Sequence, residues 1–155
     1  MQFIDDAEFQ IAIDDDFGAR ITSIKWRDNE FAVPFRGPVS KSGWYAMAPW
    51  AGRINEGLIK DAAGREIQLP TTIDPPHAIH GYGLTSSWQE IGPGRSLLHL
   101  PAPYNGATVE QSIEVLDDAV RSPVGSPSLP RTNISTASNS ISALPPRSRS
   151  RANQG

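Results

Sequence analysis

The stretch WYAMAPWAGRINEGLI, residues 44–59, places one arginine, Arg53, within a run of aromatic and small apolar residues. Apart from that arginine, the run has the composition of a buried β-strand. Arginine is almost never fully buried unless its charge is paired. The segment therefore predicts one of two roles for Arg53: an ion pair, with Glu56 or Asp61 as the candidate partner, or a contact to a polar ligand.

Two of the three histidines follow in PPHAIHGYG, residues 75–83. The three-residue spacing of His77 and His80 suits two metal ligands on a helix, but Pro75 and Pro76 argue against a helix here. No cysteine and no evident third ligand accompany them, so no metal site is predicted. Each histidine could accept backbone hydrogen bonds in a turn, or could present a neutral imidazole to a ligand.

The sequence on both sides of these motifs predicts β-strands. Short segments alternate apolar with polar residues, or are rich in β-branched and aromatic types, and turn residues separate them. No segment before residue 120 keeps a 3.6-residue apolar period, so the fold class is all-β, an antiparallel β-sandwich or barrel. The predicted strands are EFQIAID (8–14), ARITSIKW (19–26), EFAVPF (30–35), a hairpin GLIKDAAGREIQL (57–69) turning at 61–64, SWQEIG (87–92), RSLLHL (95–100) and ATVEQSIEV (107–115).

The composition changes abruptly near residue 120. Residues 1–120 hold all 17 acidic residues with 9 basic ones, a net charge of −8, whereas 121–155 hold five arginines and no acid. The last aromatic residue is Tyr104. A Ser-, Pro- and Arg-rich segment buries too little apolar surface to offset its ordering entropy. We therefore expect a domain over 1–120 and a disordered tail over 121–155, with truncation or a reading-frame change as a plausible origin of the switch.

Several classes of function are disfavoured by composition. The absence of cysteine excludes disulfides and thiolate chemistry. The acidic start MQFIDDAEFQ lacks the pattern of a secretory signal, and no 18-residue apolar run occurs, so we expect a soluble cytoplasmic protein without a membrane partner. The basic RSRSR (147–151) would bind nucleic acid only weakly and without specificity, so no nucleic-acid partner is predicted.

Four motifs in register resemble the aldose 1-epimerases, the galactose mutarotase family. They are GARITSIKW (18–26), MAPWAGRINEG (47–57), IQLP (67–70) and HAIHGYG (77–83), the last followed by Trp88. The resemblance covers about residues 1–120, the first part of a domain that is usually about 300 residues long in this family. It implies an incomplete galactose mutarotase-like supersandwich, whose large antiparallel sheets bind a free sugar in a cleft.

The resemblance also implies a site and a reaction. Arg53 and His80 match the arginine and histidine that contact the sugar, such as free glucose or galactose, and no cofactor is implied. Anomers interconvert when a base takes the O1 proton and an acid protonates the ring oxygen. The family's second histidine, its aspartate and its catalytic glutamate would fall beyond residue 120, where this chain has neither histidine nor carboxylate. Gly52 replaces the asparagine that is common before the arginine.

These residues predict an aldose 1-epimerase that is weak or inactive as written, with His80 as its catalytic residue and with Arg53 and His80 binding the sugar. The alternative is a non-catalytic carbohydrate-binding fragment. A related hexose-phosphate epimerase should carry extra basic residues, and the acidic balance of residues 1–120 does not support it. No oligomeric state is predicted.

Overall fold

A computed structural model describes residues 1–6, 8–35, 37–117 and 119–125, together with the backbone of 139–142. Its regular structure consists of short β-strands and three single-turn 3₁₀ helices, at Asp15–Phe17, Val39–Lys41 and Asn55–Gly57. The strands are β1 (Gln2–Asp5), β2 (Phe9–Asp14), β3 (Arg20–Trp26), β4 (Asn29–Glu30), β5 (Arg53–Ile54), β6 (Leu58–Lys60), β7 (Glu66–Gln68), β8 (Ala78–Ile79), β9 (Gln89–Gly92), β10 (Arg95–His99), β11 (Thr108–Ser112), β12 (Glu114–Leu116), β13 (Ala119–Ser122), β14 (Val124–Gly125) and β15 (Asn139–Ser142).

Two four-stranded antiparallel sheets form the sandwich. One has the strand order β1-β2-β3-β4, and the other has the order β14-β11-β10-β9. Their inner faces contribute to a single buried cluster. Its larger members are Phe9, Ile11, Ile13, Ile21, Ile24, Trp88, Leu98, Leu100, Val109, Ile113 and Val120. The prediction of an all-β, antiparallel sandwich is therefore confirmed.

The alternating sequence patterns explain which residues face the core. In β2 the residues Phe9, Ile11 and Ile13 are buried, whereas the residues between them are exposed or half-buried. In β11, Val109 and Gln111 point inward, as the alternation predicts. A one-residue slip of either strand would move its apolar side chains into water, so the sequence specifies this pairing register.

A buried polar cluster joins the two sheets. The Gln2 side chain donates to Asp15 Oδ1 at 2.8 Å and to Ser96 Oγ at 3.0 Å, and its own oxygen accepts from the Gly94 amide at 2.8 Å. Ser96 Oγ donates to Asp15 Oδ1 at 2.6 Å. These bonds connect the first strand to β10 and to the turn before it. These bonds fix the relative position of the two sheets, although Asp15 Oδ2 is buried without a hydrogen-bond partner among the described residues.

The last described strands extend the sandwich. In a third sheet β13 lies between β12 and β15, and β14 pairs with β11 through Gln111 and Val124. Of the predicted tail, residues 126–138 and 143–155 lie outside the described residues. Its predicted disorder and the predicted domain boundary at 120 therefore stay predictions.

The hairpin predicted at 57–69 is confirmed by β6 and β7, whose turn closes with the Gly64 amide donating to the Asp61 carbonyl at 2.9 Å. Two other strand predictions were wrong. Only Glu30 of the segment 30–35 is in a strand, and Phe31, Val33 and Phe35 are exposed. Most of the stretch 44–52 is irregular chain whose only β-type pairing, among the described residues, consists of isolated bridges, and regular pairing begins at Arg53. Among the described residues, no helix has the length and apolarity needed to cross a membrane.

Candidate functional site

The short pairing of β5 with β8 brings the two predicted ligand-contacting residues together. Arg53 is opposite Ile79 in this ladder, so His80 lies one residue beyond the position facing Arg53. Two further hydrogen bonds join Gly52 and His80. The His80 amide donates to the Gly52 carbonyl at 3.0 Å, and the Gly52 amide donates to His80 Nδ1 at 3.1 Å. Two motifs separated by almost thirty residues thus form one local structure.

The hydrogen bond to Nδ1 defines the chemistry of His80. Because Nδ1 accepts the Gly52 proton, the neutral ring must carry its own proton on Nε2, and Nε2 is then a donor. Partial burial lowers the pKa of His80, the nearby Arg53 charge lowers this pKa further, and Asp74 partly opposes both effects. His80 is therefore a neutral hydrogen-bond donor at neutral pH.

Arg53 is exposed and is held by one carboxylate. Its Nε donates to Asp74 Oδ2 at 2.5 Å, and the two side chains are 61% and 38% exposed. The predicted partners Glu56 and Asp61 are wrong, because Asp61 instead binds Arg65 Nε at 2.7 Å. Contact through Nε fixes the plane of the Arg53 guanidinium and leaves its two terminal nitrogens to donate elsewhere.

The buried arginine of this region is Arg20, which lies beneath Tyr45. Arg20 is 2% exposed. Its Nη1 donates to the carbonyls of Val39, at 2.7 Å, and of Ser42, and its Nη2 donates to the Leu84 carbonyl at 3.2 Å. Its Cζ lies 4.7 Å from the centre of the Tyr45 ring, which is 6.0 Å from the His80 ring. Arg20 thereby supports the Tyr45 ring, which packs near the His80 ring.

Close backbone packing places the loop that carries His80. Gly81 forms a parallel bridge with Ala48 at a φ of +72°, and a Cβ on Gly81 would lie 2.0 Å from the Ala48 carbonyl oxygen. Only glycine permits both this approach and this backbone conformation. His80 itself has a φ of +58°, which is uncommon for a residue other than glycine. Residues with unusual backbone conformations concentrate at functional sites.

The other two histidines are in different surroundings. His77 Nδ1 accepts a long hydrogen bond from the Glu56 amide at 3.3 Å, and the His77 amide donates to the Asp74 carbonyl. His99 is exposed on β10 opposite Thr108. In the described part of the chain, no three His, Cys, Asp or Glu side chains are grouped so as to hold a metal ion.

An aromatic cleft adjoins the same segment. Trp50 and Tyr82 pack edge to face, with ring centres 5.5 Å apart, and Tyr104 packs against both at 6.5 and 6.3 Å. The Tyr82 hydroxyl donates to the Ala102 carbonyl at 2.9 Å, which fixes this ring. We call the depression beside these rings the Trp50 cleft, and its principal lining residues are Trp50, Thr72, Ile73, Ile79, Tyr82 and Thr85.

Two residues of the site, Asp74 and Arg20, were not predicted from the sequence. Asp74, which orients Arg53, stands in a turn 21 residues away, where an aspartate usually signals only the turn itself. Arg20 stands between Ala19 and Ile21 in a predicted strand, so alternation places it on the face opposite those apolar residues and gave no signal that it is buried. The hydrogen-bond acceptors of Arg53 and Arg20 could not be predicted from nearby sequence, because they lie in loops distant along the chain.

Neither a scan against protein-family models nor a search of curated proteins finds a match to this chain. A search of solved structures finds a protein from Escherichia coli K12 named "Putative aldose 1-epimerase", with a TM-score of 0.67 at 20% sequence identity. The match covers 79% of this chain and 44% of the other, so the chain spans less than half the length of that protein. The chain therefore has the sandwich fold of that structure, and the likeness extends to the fold alone.

Proposed function

We propose that this chain carries the sugar-contacting part of an aldose 1-epimerase site and binds a free aldose through Arg53 and His80. The observation that carries the proposal is the β5–β8 pairing, which joins these two motifs through reciprocal hydrogen bonds between Gly52 and His80. The fold likeness to a structure bearing that name supports the same class of protein.

The chemistry of the two side chains suits a polyhydroxylated ligand. The Arg53 guanidinium has donors left over after its contact with Asp74, and neutral His80 offers one N–H. Hydroxyl and ring oxygens of a pyranose accept from such groups. Donors of this kind also stabilise negative charge that develops on oxygen when the hemiacetal ring opens.

Ring opening also needs a base for the O1 proton and an acid for the ring oxygen. His80 is poorly suited to be the base, because its Nδ1 lone pair is engaged by Gly52. Residues 119–155 contain neither histidine nor carboxylate. We therefore propose sugar binding with weak acceleration of anomer exchange, and a non-catalytic carbohydrate-binding fragment as the second candidate.

Two measurements on the same protein separate these candidates. Sugar binding is followed by saturation-transfer NMR with D-galactose and D-glucose, and anomer exchange is followed by polarimetry of freshly dissolved α-anomers against buffer. Binding that is lost on His80→Asn or Arg53→Ala, but retained on His77→Asn, supports the site. A rate above buffer that falls in the same variants favours the enzyme, and a rate equal to buffer favours the binding fragment.

The site itself would be wrong if neither sugar shows transfer from a folded protein, or if His77→Asn weakens binding as much as His80→Asn does. General acid and base groups typically contribute about 10²- to 10⁴-fold each. A full enzymatic rate from this chain would therefore show that carboxylates within residues 1–118 supply the acid and base, and would contradict their placement farther along.

A further inference from the structure

The loop between β10 and β11 carries the chain's single Asn-Gly sequence, Asn105-Gly106. Both residues are exposed, and they form a turn that is closed by a hydrogen bond from the Ala107 amide to the Tyr104 carbonyl at 3.0 Å. Gly106 has a φ of +83°, which is typical of the third residue of a type II turn. Asparagine and glycine are common in turns for conformational reasons, so the sequence alone gives this pair no chemical role.

The surroundings of this pair favour a reaction between its two residues. No hydrogen bond among the described residues holds the Asn105 side chain or the Gly106 amide. A Cβ added to Gly106 would meet no atom within 4 Å, so the space around this backbone is open. Because glycine has no side chain, its amide nitrogen can approach the side chain of the preceding residue. A rotation of this exposed turn therefore brings the Gly106 nitrogen to Cγ of Asn105.

The two other asparagines whose side chains the structure describes lack this combination. The Asn29 side chain donates to the carbonyls of Trp26 and Arg27, at 3.4 and 3.1 Å. Asn29 and Asn55 are each followed by a glutamate, whose side chain crowds the nitrogen that would attack. Asn105 is thus distinguished by its surroundings as well as by its sequence.

We propose that Asn105 is a site of spontaneous deamidation, with water as the co-reactant. Asparagine is one of the thermolabile residues of proteins. The Gly106 nitrogen bonds to Asn105 Cγ and gives up its proton, the bond from Cγ to the side-chain nitrogen breaks, and ammonia leaves. The product is a cyclic succinimide. Water then opens this ring at one of its two carbonyl carbons. Opening at Cγ yields aspartate, and opening at the main-chain carbonyl yields isoaspartate, in which the main chain runs through Cβ and Cγ.

Both products change the turn that positions Tyr104. Each adds a carboxylate, which is ionised at neutral pH because the reference pKa of aspartate is about 3.9. Isoaspartate also inserts one methylene into the main chain between Tyr104 and Ala107, whose hydrogen bond closes the turn. The Tyr104 ring packs against Trp50 and Tyr82, with ring centres 6.5 and 6.3 Å apart. We expect the isoaspartyl form to hold Tyr104 less firmly against these rings.

Mass spectrometry of the full chain tests this site without any sugar, so its outcome does not depend on the proposed function. Folded protein is incubated at mildly alkaline pH in water enriched in ¹⁸O, and samples are digested briefly with trypsin in ordinary water. In the peptide of residues 96–121, we expect the Asn105 amide to be lost and one heavy oxygen to be gained. Electron-transfer fragmentation should detect both aspartate and isoaspartate at this position. Peptides that contain Asn29 or Asn55 should convert far more slowly.

Two variants connect the modification to stability. Asn105→Gln keeps the amide but places its carbon one bond farther from the Gly106 nitrogen, so we expect no conversion at residue 105 over the same period. Incubation should lower the urea midpoint of the wild type and leave that of Asn105→Gln unaltered. Asn55→Gln is the matched control, since it makes the same change at an exposed asparagine that is followed by glutamate. It should lose stability on incubation as the wild type does.

The inference is overturned if Asn105 keeps its amide in the folded protein, or if Asn29 or Asn55 converts as fast. It is also overturned if the product is aspartate without isoaspartate, because that result indicates direct hydrolysis of the side chain. A wild type that forms isoaspartate yet keeps the urea midpoint of fresh protein would uphold the modification and refute its effect on Tyr104.

Discussion

Arg20 and Arg53 both contact the segment that carries His80, through Leu84 and Ile79, but have opposite surroundings. Arg20 is almost wholly buried, donates to three backbone carbonyls and lies against the rings of Tyr45 and Phe17. Arg53 is mostly exposed and has one carboxylate partner. Burial among backbone carbonyls is typical of an arginine that holds the structure, even though the Nε of Arg20 has no hydrogen-bond partner among the described residues. Exposure with uncommitted terminal nitrogens is what the proposed ligand contact of Arg53 requires.

The comparison predicts a large difference in stability between the two arginines. Arg20→Ala removes several charge-assisted hydrogen bonds and leaves buried carbonyls unpaired, so we expect it to lower the free energy of unfolding by about 3 kcal/mol or more. Arg53→Ala removes one exposed ion pair and should cost less than about 1 kcal/mol. Urea unfolding followed by tryptophan fluorescence measures both. Equal losses would show that the contrast in burial has no energetic meaning.

The strands of the fold could be predicted from the sequence, but the surroundings of the two arginines could not. Alternation, or enrichment in β-branched and aromatic residues between turn residues, predicted β2, β3, β10 and β11, because both signals are local properties of the sequence. The prediction failed for irregular chain. The stretch 44–52 is apolar enough for a strand, yet it is partly buried irregular chain that contacts residues 21, 81 and 83. The adjacency of Arg53 and His80 was inferred from a family resemblance, and the part played by Asp74 needed the fold itself.

A second prediction concerns the close backbone contact between Gly81 and Ala48. Gly81→Ala would force a Cβ into the Ala48 carbonyl at a positive φ, so we expect a loss of about 2 kcal/mol or more, together with weakened sugar binding. Gly64→Ala is the matched control, since that hairpin glycine has a similar φ of +78° and open space around it. It should cost about 1 kcal/mol and leave binding intact. Similar losses at both positions would mean that the Ala48 contact is unimportant.

A third prediction concerns Asp74, the carboxylate partner that orients the exposed Arg53. Asp74→Ala leaves the guanidinium without its orienting partner, so free-sugar affinity should fall about tenfold, equivalent to 1.4 kcal/mol. Stability should change by less than about 1 kcal/mol, because the pair is exposed. Titration by saturation-transfer NMR beside urea unfolding gives both values. Unchanged affinity would mean that Asp74 merely neutralises the Arg53 charge.

The smallest expected effect is a dependence of stability on pH. The pKa of His80 is lowered in the folded protein by burial and by Arg53, so the unfolded chain binds more protons between this lowered pKa and the ordinary value of about 6.5. The contribution of neutral His80 is therefore present above pH 6.5 and is lost as the pH falls through that interval. The slope of unfolding free energy against pH should be smaller in His80→Asn. An identical slope in both proteins would contradict the assignment of a neutral His80.

The hydrogen bonds of Gln2 have a consequence for the order in which the protein folds. The second residue of the chain reaches its partners in the turn and strand at Gly94 and Ser96, more than ninety residues later. The strand β1 is synthesised before β10, so its side-chain anchor cannot form until residue 96 has also emerged. Contacts of such long sequence separation slow folding, because a large loop must close before any interaction compensates for it. During synthesis, the hairpin of β1 and β2 therefore lacks its side-chain bonds to the opposite sheet until that sheet has been made.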